Sequence, residues 1–227
     1  MKKYELTTET KKVRGKTLHR IRALVSFGDV CAGEMGGWIE KEDNLSQNGA
    51  AWVYGEARVS DKACICGAAR VCGAAEVSGE ATVSDNACVY GESKVSGVAM
   101  VYENAEVYGE AEISGAAEVC GRAQVCGQAE VSGNAEVYGE ARVSGNARVE
   151  KNAHLFQLGA IGSRDDFTTF FRTKDEQVFV SCGCFHGSIA DFAEKVKRTH
   201  GDSKHAKTYA LAIEIAKLQI EDTIEIR

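Results

Sequence analysis

Residues 53–82 read VYGEAR VSDKAC ICGAAR VCGAAE VSGEAT, and each group of six opens on an aliphatic residue. The beat runs without insertion or deletion from Val53 to Leu155. Four residues after each anchor up to Val149 stands Ala, with Ser93 the single exception. Position two is mostly Tyr, Ser or Cys. Position three is Gly with a few Asp, Glu or Lys, and position six is usually charged. The inward candidates therefore fall at positions one and five. An α-helix turns by about 600° over six residues, so successive anchors would not share a face. Simple two-residue alternation does not fit either. Short strands over positions six, one and two, separated by tight turns at Gly, do fit.

One hexad per side makes a triangular coil of about 18 residues. Such coils stack about 4.8 Å apart as parallel strands, and each fully buried Val contributes roughly 1.5–3 kcal/mol by transfer. A larger residue than Ala at position five would crowd the corner of a narrow prism. The coil period also sorts position two onto three faces. One carries Tyr54, Cys72, Tyr90, Tyr108, Cys126 and Ser144; a second carries Cys66, Ser84, Tyr102, Cys120 and Tyr138. The third is Ser60, Ser78, Ser96, Ser114, Ser132 and Glu150, which suits water. On the other two, Tyr54, Tyr90, Tyr108, Tyr102 and Tyr138 form a candidate interface, covered by another subunit or by the chain's own terminal segments. The simpler alternative is that tyrosine merely fits a flat outer strand.

The flanks leave the repeat. Residues 1–50 read as an N-terminal cap, residues 51–155 as the β-helix, and residues 156–227 as a β-hairpin with two helices. In the cap, Leu18, Ile21 and Leu24 are expected points of burial, and Trp38 with Ile39 a plug for the exposed coil. In the last segment, 167–173 and 177–182 read as strands turning at Lys174-Asp175-Glu176, the second strand continuing through Gly183-Cys184-Phe185. Ser188 is a candidate N-cap for a helix ending at Gly201. Tyr209, Ile213, Ala216 and Ile220 form the stripe of a second helix.

The formal charge of −6 gives no reason to expect nucleic-acid binding. No apolar run is long enough for a membrane helix, no signal peptide is evident, and six of the nine cysteines, Cys64, Cys66, Cys72, Cys88, Cys120 and Cys126, occupy repeat positions rather than a bridging framework. The expectation is a cytoplasmic protein with free thiols. Eight Glu against one Arg between Tyr102 and Glu140 read as a solvated surface, or as a negative rod for a basic partner.

Chemistry is harder to place. Cys182, Cys184 and His186 alternate along one strand, but zinc needs four converging ligands. A nucleophilic Cys184 with a histidine base is a further reading, and packing of the thiols against a helix is the plain one. A binding site is conceived where the turn bearing Arg164 and Asp165 meets Cys182, Cys184 and His186. No metal or cofactor is expected.

At VYGEAR and VSGNAR the chain resembles the left-handed β-helix family of hexapeptide repeat proteins. The flanks LHRIRALVSFGDVCAGEMGGWIE, IGSRDDFTTFFRTKD and CGCF are similar to those of bacterial and phage proteins often labelled transferases from the repeat alone. The resemblance implies an all-β left-handed parallel β-helix with a small C-terminal α+β module. Its catalytic members use a histidine base near an intersubunit cleft, often with projecting loops. This chain has no histidine between Val53 and Ala153, and His154 comes only at the last coil. The expectation is therefore a non-enzymatic scaffold or protein-binding module, a homo-oligomer (dimer or trimer), with a phage-type host-directed binder as one form. No catalytic residue is assigned. The alternative is a hexapeptide-repeat acyltransferase.

Overall fold

In the computed structural model, which describes residues 2–221, the hexads fold as a three-sided parallel β-solenoid. Each strand is two residues long, over positions six and one, as in Lys94–Val95. Register is fixed at one coil: Val95 lies beside Val77 and Ile113. The Lys94 and Ser96 amides donate to the Ala111 and Ile113 carbonyls, each at 2.9 Å. Position two therefore still bonds to the next coil. The three walls hold strands spaced 18 residues apart, as the coil period requires. The anchors are buried throughout, and so are the position-five alanines up to Ala147; Ala153, where the last coil ends, is half-buried.

The turn at position three needs positive φ and leaves no room for a side chain. At Gly97 (φ 72°) an added Cβ would lie 2.6 Å from the Gly115 carbonyl oxygen of the next coil. Where Asp61, Asp85 and Glu103 replace Gly, φ is still near 60°. Their carboxylates accept from the amides of Gly79, Glu103 and Gly121 in the coil above, at 3.1, 3.1 and 2.8 Å. An acidic side chain thus offsets strain with a cross-coil bond.

Both solenoid ends are covered. Strands Tyr4–Val13 and Lys16–Ala23 form a hairpin, and Met35–Ile39 pairs antiparallel to the hairpin and parallel to Arg58–Val59. Leu18 and Ile21 are buried as expected, but Leu24 is exposed. The central plug is Trp52 rather than Trp38: it is fully buried, with Tyr4 and Phe27 edge-on at 6.0 and 5.4 Å. Ile39 is fully buried in the same core as expected, and Trp38 is buried beside it, its Nε1 donating to Glu56 at 3.2 Å and the Arg20 guanidinium over its ring.

At the other end the chain forms a four-stranded antiparallel sheet: Leu155–Ile161, Asp166–Arg172, Val178–Cys182 and Phe185–Ser188. The sequence expectation of one hairpin is short by two strands. Gly183 (φ 58°) reverses the chain that was expected to run straight to Phe185. Helices α1 (Ile189–His200) and α2 (Lys204–Glu221) pack on this sheet. Ser188 caps α1, its Oγ accepting from the Asp191 amide at 3.1 Å. Leu155 and Phe171 join the solenoid core, and the Arg142 amide donates to Thr169 Oγ1 at 3.1 Å. No helix among the described residues is long and apolar enough to cross a membrane.

Candidate functional site

Two turns and two helices line an open cavity of about 180 Å³ in the C-terminal module. Ser163 and Arg164 come from the turn between the first two strands of its sheet, and Asp166 opens the second. Cys182, Gly183, Cys184 and Phe185 come from the tight turn between the last two. From α1 come Phe192, Lys195, Val196, Thr199 and His200, and from α2 comes Tyr209. Local sequence builds each wall. Helical spacing turns Phe192 and Val196 inward, and Gly201 stops α1 by donating to the Lys197 carbonyl at 2.9 Å. An added Cβ on Gly162 would fall 2.0 Å from Tyr209 Oη. Glycine there is what admits the tyrosine.

The inner wall is aromatic. The Phe192 ring meets Phe185 at 5.2 Å and Tyr209 edge-on at 5.4 Å. Thr168 Oγ1 donates to Cys182 Sγ at 3.2 Å, and that sulfur is 3.7 Å from Tyr209 Oη. Burial, and then the neighbouring Cys182 thiol, hold the Tyr209 hydroxyl protonated well above its ordinary range. The His200 ring lies 5.8 Å from both Tyr209 and His205. Among the described residues its imidazole makes ring contacts only.

The structure brings together Arg164, Cys182 and Cys184, but not Asp165 or His186. Asp166 lines the cavity in place of Asp165. His186 is exposed beside Phe185, because neighbours on a strand face opposite ways. Among the described residues no three His, Cys, Asp or Glu side chains gather as metal ligands.

His154 is a different kind of histidine. It is 2% exposed, in a turn between the last coil and the C-terminal sheet. Its Nδ1 accepts from the Glu150 amide at 3.2 Å, and Arg172 Nη1 lies 3.3 Å from Nε2. Burial and the adjacent Arg172 guanidinium push its pKa down to about 4. It is a neutral packing residue enclosed on both ring edges.

The tyrosine faces divide. Tyr54 is taken up by the chain itself, donating to Asp29 at 2.8 Å. Tyr90 and Tyr108 stack in parallel with ring centroids 4.9 Å apart. Tyr102 donates to Glu118 at 3.1 Å, whereas Tyr138 is 55% exposed.

Sequence reasoning missed His200, Lys195 and Tyr209 as cavity residues. The signal was present in part: His200 ends the helix whose Phe192–Val196 stripe faces inward, and Tyr209 heads the stripe of the next.

Residues 141–155 match the family described as YdcK Beta solenoid repeat. A 68-residue stretch is 34% identical to the Escherichia coli (strain K12) protein named "Uncharacterized acetyltransferase YdcK". The alignment takes in 26% of this chain and 21% of that protein. The chain is similar to hexapeptide β-solenoid proteins. This likeness, with the parallel solenoid itself, overturns the expectation of a non-enzymatic scaffold or protein-binding module. The argument from a histidine-free array excluded only a base inside the array. The cavity and its histidine lie outside it.

Proposed function

We propose that the chain is an acyltransferase that moves an acyl group from a thioester donor to a small acceptor in the C-terminal cavity. The observation that carries this reading is the 34% identity over 68 residues to the protein named an acetyltransferase. The geometry supports it through His200, which lines the cavity with its nitrogens unengaged by other described residues. A general base must reach the proton it removes, and His154, packed between Glu150 and Arg172, does not offer that.

In this mechanism His200 takes the proton from the acceptor N–H or O–H as that atom attacks the thioester carbonyl. The new C–N or C–O bond forms, the C–S bond breaks, and the proton passes to the departing thiolate. Tyr209, kept in its hydroxyl form, contributes a hydrogen-bond donor to the same cavity. Incubation with acetyl-CoA and a broad panel of amines and alcohols, followed by mass detection of acetylated products, tests the reading. Product from at least one acceptor is expected, and silence across the panel counts against it.

We also take the protein to be a cytoplasmic homo-oligomer. Its nine cysteines are unbridged, which suits a reducing compartment. The stacked Tyr90–Tyr108 pair and the exposed Tyr138 support contact between copies. Replacing Tyr90 and Tyr108 with Ser should lower the mass in solution; an unchanged mass would remove that face as the interface.

A further inference from the structure

The cavity has a chemical polarity that narrows what it holds. Its inner wall is Phe185, Phe192, Val196 and the Tyr209 ring, whereas Arg164 and Lys195 are exposed and bring two cations to it. Among the described residues neither Arg164 nor Lys195 makes an ion pair or a hydrogen bond. Elsewhere on the surface some cations meet carboxylates, as in Lys62–Glu80 and Lys94–Glu112, and others, such as Lys197 and Lys204, meet none among the described residues; what sets Arg164 and Lys195 apart is that both line the apolar cavity. Unpaired cations beside an apolar wall suit a ligand with an anionic head and an apolar body.

Asp166 supplies the opposite sign. One of its oxygens, Oδ1, accepts from the Phe167 amide at 2.8 Å, which holds the carboxylate in place and leaves Oδ2 for a ligand donor. The volume sets the size. A cavity of about 150 Å³ is enough for benzene, so about 180 Å³ admits one ring or branched aliphatic chain, with its polar head outside the apolar part. The pantetheine arm of a thioester donor is too long to be enclosed there.

We infer that the cavity binds an apolar α-amino acid: carboxylate toward Arg164 and Lys195, amine toward Asp166 and His200, side chain against Phe185, Phe192 and Val196. Its role as acceptor rests on the acyltransferase reading; its binding does not. As acceptor its ammonium first gives one proton to solvent; the free amine then attacks, and its second proton passes through His200 to the departing thiolate as the amide bond forms and the thioester C–S bond breaks.

The test is calorimetric titration of the whole protein without any acyl donor, using L-phenylalanine, L-leucine, phenethylamine and 3-phenylpropionate. L-Phenylalanine or L-leucine should bind. Phenethylamine, lacking the carboxylate, and 3-phenylpropionate, lacking the amine, should each bind about tenfold or more weakly than L-phenylalanine. Arg164→Ala and Lys195→Ala, both at exposed positions, should weaken L-phenylalanine by a similar factor and leave phenethylamine unchanged. No heat with either amino acid, equal affinity for phenethylamine, or an unaltered affinity in both variants would overturn the inference. Turnover with other amines beside amino acids that do not bind would sink this inference alone. Amino-acid binding without acetyl transfer to any acceptor would sink the acyltransferase reading alone.

Discussion

In the solenoid, one Val or Ile per side and one Ala per corner fill the interior, and the same small set repeats from coil to coil. In the C-terminal module the interior is assembled from unlike parts: five aromatic rings, two turns and two helices. A repeating hexad brings identical groups to each level, so it fills its interior evenly and places like beside like. A non-repeating module brings unlike groups together, and this one leaves a cavity lined by His200, Arg164, Asp166 and Lys195. Regularity makes a stable rod, and departure from it makes room for chemistry.

Core truncations test that division most strongly. Phe192→Ala removes a ring that touches Phe170, Phe185 and Tyr209, and should cost about 3–5 kcal/mol together with ligand binding. Ile113→Ala in the rod should cost about 2–5 kcal/mol in denaturant titration yet leave binding intact under folding conditions. Equal loss of binding in the two variants would dissolve the contrast.

The junction between the regions responds to acid. Folded His154 titrates near pH 4 and an unfolded histidine near 6.5. Between these values the unfolded chain binds a proton that the folded chain does not, so stability falls as pH drops from 6.5 to 4. The loss is about 3 kcal/mol and saturates below pH 4. Unfolding midpoints measured across this window should drift down in the wild type and less in His154→Gln. Parallel drift in both would show that the histidine is not the source.

The smallest effect belongs to the one break in the alanine column. Ser93 is fully buried, its hydroxyl donating to the Tyr90 carbonyl at 2.9 Å. Ser93→Ala exchanges a satisfied hydroxyl for the residue used at every other coil corner, and should shift stability by less than about 1 kcal/mol. A larger loss would mean the rod is less uniform than its hexad implies.

The rod was legible because each wall repeats a local rule: aliphatic inward, Gly at positive φ, Ala at the corner. Even its exceptions were visible as Asp61, Asp85 and Glu103, although their reach to amides one coil away needs the stacking to be seen. The module was legible only as elements. Ser188, Gly201 and the Tyr209 stripe announce helices, whereas the placement of His200 against Tyr209 depends on how α1 and α2 cross the sheet. His186 shows the limit from the other side: alternation along one straight strand would put it on the face of Cys184, but the reversal at Gly183 leaves Cys184 in the turn and His186 exposed on the next strand. The function was misread for the same reason, since the search for a base followed the repeat and stopped where the repeat stopped.

The claim that the chemistry sits outside the rod is tested most directly by acetyl-transfer rates of two histidine variants against the wild type. His200→Gln should lose about a hundredfold or more with an unchanged unfolding midpoint at neutral pH. His154→Gln should keep a rate within about twofold of wild type. A silent His154→Gln beside a fully active His200→Gln would contradict the account.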